Sequence, residues 1–467
     1  MPRWVKTMTC CPSFASRKWS YGEVADILFS MTNPLVYLLV INWNGLEHLR
    51  ECFDSLMGLT YPNVRILLIN NASTDGSTAF VRENYGADPR LEILDLDTNL
   101  GWAGGNNAGI SHAVAAGADY VFLLNNDTAI QPDAVDVLVA AAQARPNAGA
   151  LAPKMLMFHS PEILNSVGLE CSIIGAAWDR GIGRLDRPRW NDERPVMGAC
   201  GGAAFFRVEA LRKTGLLTTD FEIYLDDLDL CLQMWDCGYE VWTCPQAVVR
   251  HKFSATTGTG AWAQRKYFLN TRNRLFLMMR NFPLHALPFA LGCYGIGEVR
   301  AIGRSVWNRQ WWRVRAHVRS WLSFWGYIPQ AVRERQRRSG WKQGQFWPLI
   351  LKNRMFFGGT DFPADGWYPS RVLKTGSYQP ISARAWADVP GGRLRLYYVN
   401  CYPRLGAVSI QILSGGNALA NIETLNEGQC VLEVPPGRIE FVAQHIFEAE
   451  QTGEQIDIGG WLRLEVT

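Results

Sequence analysis

From Val36 onward the chain alternates two hydrophobic patterns. Apolar-rich runs, "VYLLVINW", "VRILLINN", "LEILDLD" and "YVFLLNND", read as strands, and the unbroken apolar start of the last as one buried on both faces. Between them lie segments of helical period. "GLEHLRECFDSLMGL" puts Leu46, Leu49, Phe53 and Leu56 on one face, and "STDGSTAFVRENYG" and "GGNNAGISHAVAAG" follow the second and third runs. This order predicts an α/β fold, a mostly parallel sheet with helices on both faces. Each run ends in polar residues: Asn42 and Asn44, Asn70 and Asn71, Asp97 and Asn99, and Asn125 to Asp127. Turn chemistry explains one such cluster. Four, on strands that share one edge, predict a binding crevice.

The pattern then changes twice. A second mixed block runs from about Pro195 to Pro283. Between Arg300 and Arg354 basic residues dominate, Glu334 is the lone acid, and Trp307, Trp311, Trp312, Trp321, Trp325, Trp341 and Trp347 are interleaved. Past Gly358, short alternating runs such as "RLRLYYVN" and "AVSIQIL" sit between Gly, Pro and Asn turns, which predicts an all-β sandwich or barrel.

Composition narrows the setting. The 11 cysteines show no CxxC pair, and net charge is only +3. Reduced thiols in a cytoplasm are expected. No stretch offers the roughly 20 apolar residues of a membrane span, and residues 1–34 lack the apolar core of a signal peptide. A dinucleotide-binding oxidoreductase would want GxGxxG after the first strand, where "NWNGLEH" stands.

Acids cluster in "YLDDLDL", Tyr224 to Leu230, just ahead of Cys231, Leu232 and Trp235 at helical spacing. Helix capping accounts for one acid at such a place, and three exceed that need. Here the chain resembles a known family. "VINWNG", "INNASTDGS", "NLGWAGGNNAGI", "LLNNDT" and "YLDDLDLCLQMWDCGYEVW…RHK" resemble, in order and spacing, the motifs of glycosyltransferase family 2, nearest its rhamnosyltransferase-like members. The likeness spans about Leu35 to Pro283. It implies a GT-A type sheet with flanking helices, followed by a helical segment and an all-β sandwich domain. The expected division is 1–34 as an N-terminal extension, 35–285 as the catalytic domain, 286–358 as the basic Trp-rich region, and 359–467 as a jelly-roll-like accessory module.

The resemblance also implies roles. The reaction is inverting transfer of rhamnose or a hexose from a nucleotide sugar, dTDP-rhamnose or a UDP-sugar, to a hydroxyl of a glycan or polyprenyl-linked saccharide. Mg²⁺ or Mn²⁺ would offset charge on the departing diphosphate. Asp127 maps to the metal position, with Asn125 beside it, and His251 to a residue near metal or phosphate. Asn42, Asn70 and Asp75 map to nucleotide contacts, Gly104 (with Gly101 and Gly105) to a close backbone approach, and Arg272 with Asn273 to the donor phosphates. Asp227 maps to the base that takes the acceptor's proton, with Asp226 beside it. His251 also reads as a structural histidine, and Arg272 as a solvated charge. The amides at Asn70, Asn125 and Asn126 leave a catalytically inactive, glycan-binding or scaffolding homologue as the alternative.

The basic Trp-rich segment fits an anionic membrane surface, with tryptophan at headgroup level, better than nucleic acid. A cytoplasmic enzyme, peripheral at the inner face of the cell membrane, is the expected setting. In the last module, Trp367, Tyr368, Tyr397 and Tyr398 either stack on sugars or fill the sandwich.

Overall fold

The computed structural model describes residues 33–158, 161–252 and 261–352, and in the C-terminal part 371–373, 376–381, 384–389, 391–399, 407–424, 427–444 and 460–466. The first four strands are β1 (Val36–Asn42), β2 (Val64–Asn70), β3 (Leu91–Asp95) and β4 (Tyr120–Asn125). They lie parallel in the order β3-β2-β1-β4. The helices between them are α1 (Leu46–Met57), α2 (Ser77–Tyr85) and α3 (Gly101–Ala115). Leu39, Leu67 and Leu123 face one core, and Leu38, Leu68 and Phe122 face the other. The apolar runs are unbroken because both sheet faces are covered. β3 is the exception. It sits at the sheet edge, none of its residues is fully buried, and Asp95 is exposed.

Later segments extend this sheet. They are β5 (Thr128–Ile130), α4 (Ala134–Ala144), β6 (Ala148–Met157), β7 (Leu164–Ser166), β8 (Leu169–Cys171), β9 (Ala177–Asp179), β10 (Ala203–Arg207), α5 (Val208–Thr214), α6 (Asp226–Asp236) and β11 (Glu240–His251). The nine-stranded sheet continues from β4 through β10, β6, β11 and β5, with β7 on β6, while β8 and β9 pair separately. β10 runs antiparallel between β4 and β6. Its entry loop, Gly201–Gly202, therefore arrives at the same edge as the tip of β4.

Four helices follow: α7 (Ala261–Asn281), α8 (Leu287–Trp307), α9 (Trp311–Arg337) and α10 (Trp347–Lys352). Phe276 of α7 stacks on Tyr327 of α9 at 3.9 Å between ring centroids. Trp321 and Trp347 pack onto the larger core, whereas Trp307, Trp311 and Trp325 are exposed. No helix among the described residues is long and apolar enough to cross a membrane.

Between 371 and 466 the described strands form two antiparallel sheets, of five and four strands. Alternate residues are buried, Leu394 and Leu396 in one and Val408, Ile410 and Ile412 in the other. Tyr397 and Tyr398 are half-buried. Trp367 and Tyr368, like residues 1–32, lie outside the described residues. The eight described cysteines are all free thiols.

Candidate active site

The crevice at the parallel-strand edge is built first by amides. Asn42, buried at the end of β1, donates to Ser77 Oγ at 2.8 Å and Ser73 Oγ at 3.1 Å, and its Oδ1 accepts from Asn126 Nδ2 at 2.6 Å. Asn70, at the end of β2, accepts from the Ser73 N–H at 2.9 Å and donates to Asp95 Oδ1 at 2.8 Å. Asp75 accepts the Leu46 N–H at 2.9 Å and the Ser77 N–H at 3.1 Å. Partial burial pushes the Asp75 carboxyl up, but hydrogen bonds from Ser77 and Leu46 outweigh it and hold the group below its ordinary range. Leu46, expected inward, is exposed, because its place in the first turn of α1 is set by this backbone contact. These bonds tie four strand tips into one rim.

The glycine run lies inside a helix, as its period predicts: Gly104 and Gly105 sit in the first turns of α3. A Cβ on Gly105 would stand 2.5 Å from Ile41 Cδ1, and one on Gly104 2.8 Å from Leu100 Cβ. The run lets α3 press onto the sheet. Gly101, with φ +73°, is the member whose backbone requires glycine.

At the tip of β4, Asn125 accepts from Trp102 Nε1 at 3.0 Å. Asp127 is buried, and its Oδ1 lies 3.2 Å from His251 Nε2 yet has no hydrogen-bond donor. Burial pushes this carboxyl up. The nearby His251, and more weakly His48, outweigh burial and hold it below the ordinary aspartate range. His251 ends β11, and its Nδ1 meets Asn165 Oδ1 at 2.7 Å. Nε2 and the ionised carboxylate converge at the tip of β4, where either an Nε2–H or a cation joins them. The pair therefore fits a divalent ion that takes its remaining ligands from phosphate and water. Among the described residues no three His, Cys, Asp or Glu side chains are grouped as a metal site.

The second acidic centre opens α6. Asp227 Oδ2 accepts the Gly201 N–H at 2.8 Å, and its Oδ1 accepts the Leu228 N–H at 2.7 Å. Asp226 is buried, and its Oδ2 has no partner. Burial pushes both carboxyls above the ordinary range, and for Asp226 the neighbouring Asp227 adds to the shift. The two centres meet at Gly201–Gly202. A Cβ on Gly201 would stand 2.5 Å from the Trp102 ring and 3.3 Å from Asp227 Oδ2. A Cβ on Gly202 would stand 3.4 Å from His251 Cε1 and 3.6 Å from Asn125 Nδ2. Side chains here would fill the space between the carboxylates.

Residues 37–215 match the family model described as Glycosyl transferase family 2. The chain carries a glycosyltransferase family 2 domain. The match ends before Asp226. Among relatives, an N-acetylglucosaminyl-diphospho-decaprenol L-rhamnosyltransferase of Mycobacterium tuberculosis is 29% identical over 247 residues, covering 49% of this chain and 79% of that protein. A poly-beta-1,6-N-acetyl-D-glucosamine synthase of Staphylococcus epidermidis is 26% identical over 273 residues, covering 54% and 62%. Among solved structures, a mannosyltransferase of Pyrobaculum calidifontis in complex with GDP-Man and Mn2+ aligns at a TM-score of 0.41 with 19% identity, over 64% of this chain and 86% of that one.

The glycosyltransferase is braced at α6 by residues from α7. Glu222, Tyr224 and Leu225 all have positive φ, at 63°, 70° and 70°, where bulky residues are strained. Asn273 Nδ2 donates to the carbonyls of Ile223 at 2.8 Å, Phe221 at 2.9 Å and Tyr224 at 3.1 Å. Arg272, expected near donor phosphates, is buried and bonds Glu222 Oε1 and the Asp220 carbonyl, each at 3.0 Å, and the Phe221 carbonyl at 3.1 Å. Its guanidinium holds this segment. Asp229, the third acid, grips Arg280 through Nε at 2.8 Å and Nη2 at 3.0 Å, and accepts from Asn281 at 2.6 Å. It is a structural anchor.

Sequence reading missed two residues of this neighbourhood. Trp102 stood in a quoted motif, but nothing in the pattern separated it from core tryptophans. Asp179, on the short strand β9, has a buried Oδ1 without a partner. Burial pushes its carboxyl up to about 6, Asp227 adds to the shift and His251 opposes it. "AWD" offers no periodic signal, so only the folded chain brings Asp179 here.

Proposed function

We propose that this glycosyltransferase moves rhamnose, or failing that a hexose, from a nucleotide sugar to a hydroxyl of a glycan or lipid-linked saccharide in cell-surface polysaccharide synthesis, with inversion. The observation that carries the reading is the pairing of two carboxylate environments around Gly201–Gly202. One is held ionised beside a histidine. The other is raised toward proton uptake at a helix start. Asn42, Asn70 and Asp75 would hold the nucleoside at the rim, and Asn125 the donor's ribose or phosphate side. A divalent cation held by Asp127 and His251 would offset charge on the leaving diphosphate. Asp227 takes the acceptor's hydroxyl proton as that oxygen bonds to the anomeric carbon. The bond from that carbon to the diphosphate oxygen breaks on the opposite side, and the diphosphate leaves with the electron pair. Asp226, kept protonated, leaves Asp227 to bear the local negative charge. The rhamnosyltransferase relative supports rhamnose as the first sugar to test and a polyprenyl-linked saccharide as acceptor.

The test is release of nucleoside diphosphate from a panel of nucleotide sugars, with Mn²⁺ or Mg²⁺ and with chelator. Metal-dependent turnover of one donor that is lost in Asp127→Ala is expected. Failure of every donor to bind or turn over would favour a scaffolding homologue.

A further inference from the structure

We infer that α8 and α9 together form a docking surface for an anionic lipid bilayer. On α9 the exposed apolar residues are Trp311, Val318, Leu322, Trp325 and Val332, a spacing of seven, four, three and seven that keeps them on one helical face. Leu322 is 67% exposed, Trp325 62% and Val318 50%. On α8, Phe289, Ile296, Val299 and Val306 repeat the device at intervals of seven, three and seven, with Trp307 at the helix end 88% exposed. A soluble helix of this pattern buries such a stripe, and here the opposite face is the buried one. Phe324, Tyr327 and Ala331 of α9 face the core. Each helix is thus apolar on two sides.

Charge selects the occupant. Arg300, Arg304, Arg309, Arg315, Arg319, Arg333 and Arg337 are exposed around the two stripes. The acids of these helices are withdrawn: Glu298 is buried against His317 Nδ1 at 2.7 Å, and Glu334 pairs with Arg280 and Arg338. The surface is an apolar centre with a positive border. An isologous second copy would set arginines against arginines. Nucleic acid would leave Val318, Leu322 and Val299 against phosphates. A bilayer with acidic headgroups satisfies both parts, since apolar residues and tryptophan enter the headgroup boundary while arginine meets lipid phosphate. The inner side of α9 also reaches the catalytic segment. Tyr327 Oη and Gln330 Nε2 bond Asp220 Oδ2 at 3.1 and 2.6 Å, on the strained approach to Asp226. A docked helix pair would thereby fix the base helix relative to the lipid surface.

The experiment is flotation of the full chain with vesicles of phosphatidylcholine alone and of phosphatidylcholine mixed with phosphatidylglycerol. Binding to the mixed vesicles at least about tenfold above the neutral ones is expected, falling about fivefold for each arginine removed in Arg315→Ala and Arg319→Ala. Leu322→Asp with Trp325→Ser, both exposed positions, should abolish flotation while the thermal melt and donor turnover stay unchanged. Equal flotation of that variant, or no flotation of the wild type, overturns the inference. So does self-association that the variant abolishes, or vesicle binding lost only to competing nucleic acid.

Discussion

Asp127 and Asp226 are the same residue type, both buried and both at the Gly201–Gly202 end of the sheet, yet their protons are held in opposite ways. Asp127 has histidines beside it, and their charge overrides burial. Asp226 has Asp227 beside it and an oxygen without a donor, so like charge and burial act together. Burial pushes both carboxyls up, yet it does not decide the net direction. The neighbour decides, and the two outcomes suit opposite tasks: meeting a cation and managing a proton.

The sharpest way to break this contrast is to remove one acid at a time. Asp227→Asn should lower kcat by about 10²–10⁴-fold, as expected for a lost general base, while Asn can still accept the Gly201 N–H. Asp226→Asn mimics the protonated acid and should stay within about tenfold of wild type. Steady-state rates at neutral pH test this, and a larger loss at Asp226 would exchange the two roles.

Next comes the cation end. With a turned-over donor near 100 times its Kd, binding should stabilise the wild type by about 2.7 kcal/mol. Added Mn²⁺ should raise the melting temperature further, and Asp127→Ala should lose that increment while keeping part of the donor shift. An unchanged metal increment in the variant would remove Asp127 from the cation's ligands.

The bracing of α6 is a smaller effect. Asn273→Ala leaves three backbone carbonyls without this donor and should cost about 1–3 kcal/mol, seen as an earlier melting transition together with a lower kcat. If stability falls but kcat holds, the strained segment does not position the base.

The smallest effect concerns pH. Asp179 titrates near 6 in the folded chain, above the ordinary value of about 3.9 for aspartate. Its folded form binds the proton more tightly. Its contribution to stability is therefore complete below the ordinary value and is lost as pH rises through about 6. Asp179→Asn should flatten the melting temperature over that window, and a variant as steep as wild type would place the titration elsewhere.

Much of the first domain was legible in the chain. Unbroken apolar runs at β1, β2 and β4 have one solution, a parallel sheet covered on both faces, and the polar tips then share an edge because parallel strands end together. β3 was legible as a strand, and its place at the sheet edge agrees with the Glu92 and Asp95 it carries. The helical period of the run after Asn99 was legible too, and only the packing shows that Gly105 brings α3 onto Ile41. Arg272 carries its motif's expectation of a phosphate contact, and the fold adds what the motif does not contain, its bonds to Glu222 and two carbonyls.

The sequence by itself determined the parallel layer, its polar rim and the acids at the start of α6, because these follow from local period and chain order. Only the tertiary structure decided that His251, some 120 residues downstream of Asp127, faces it. The same holds for Asp179 beside Asp227 and for the outward stripe of α9. Burial, charge pairing and exposure belong to the arrangement of elements in space, and no run of letters contains them.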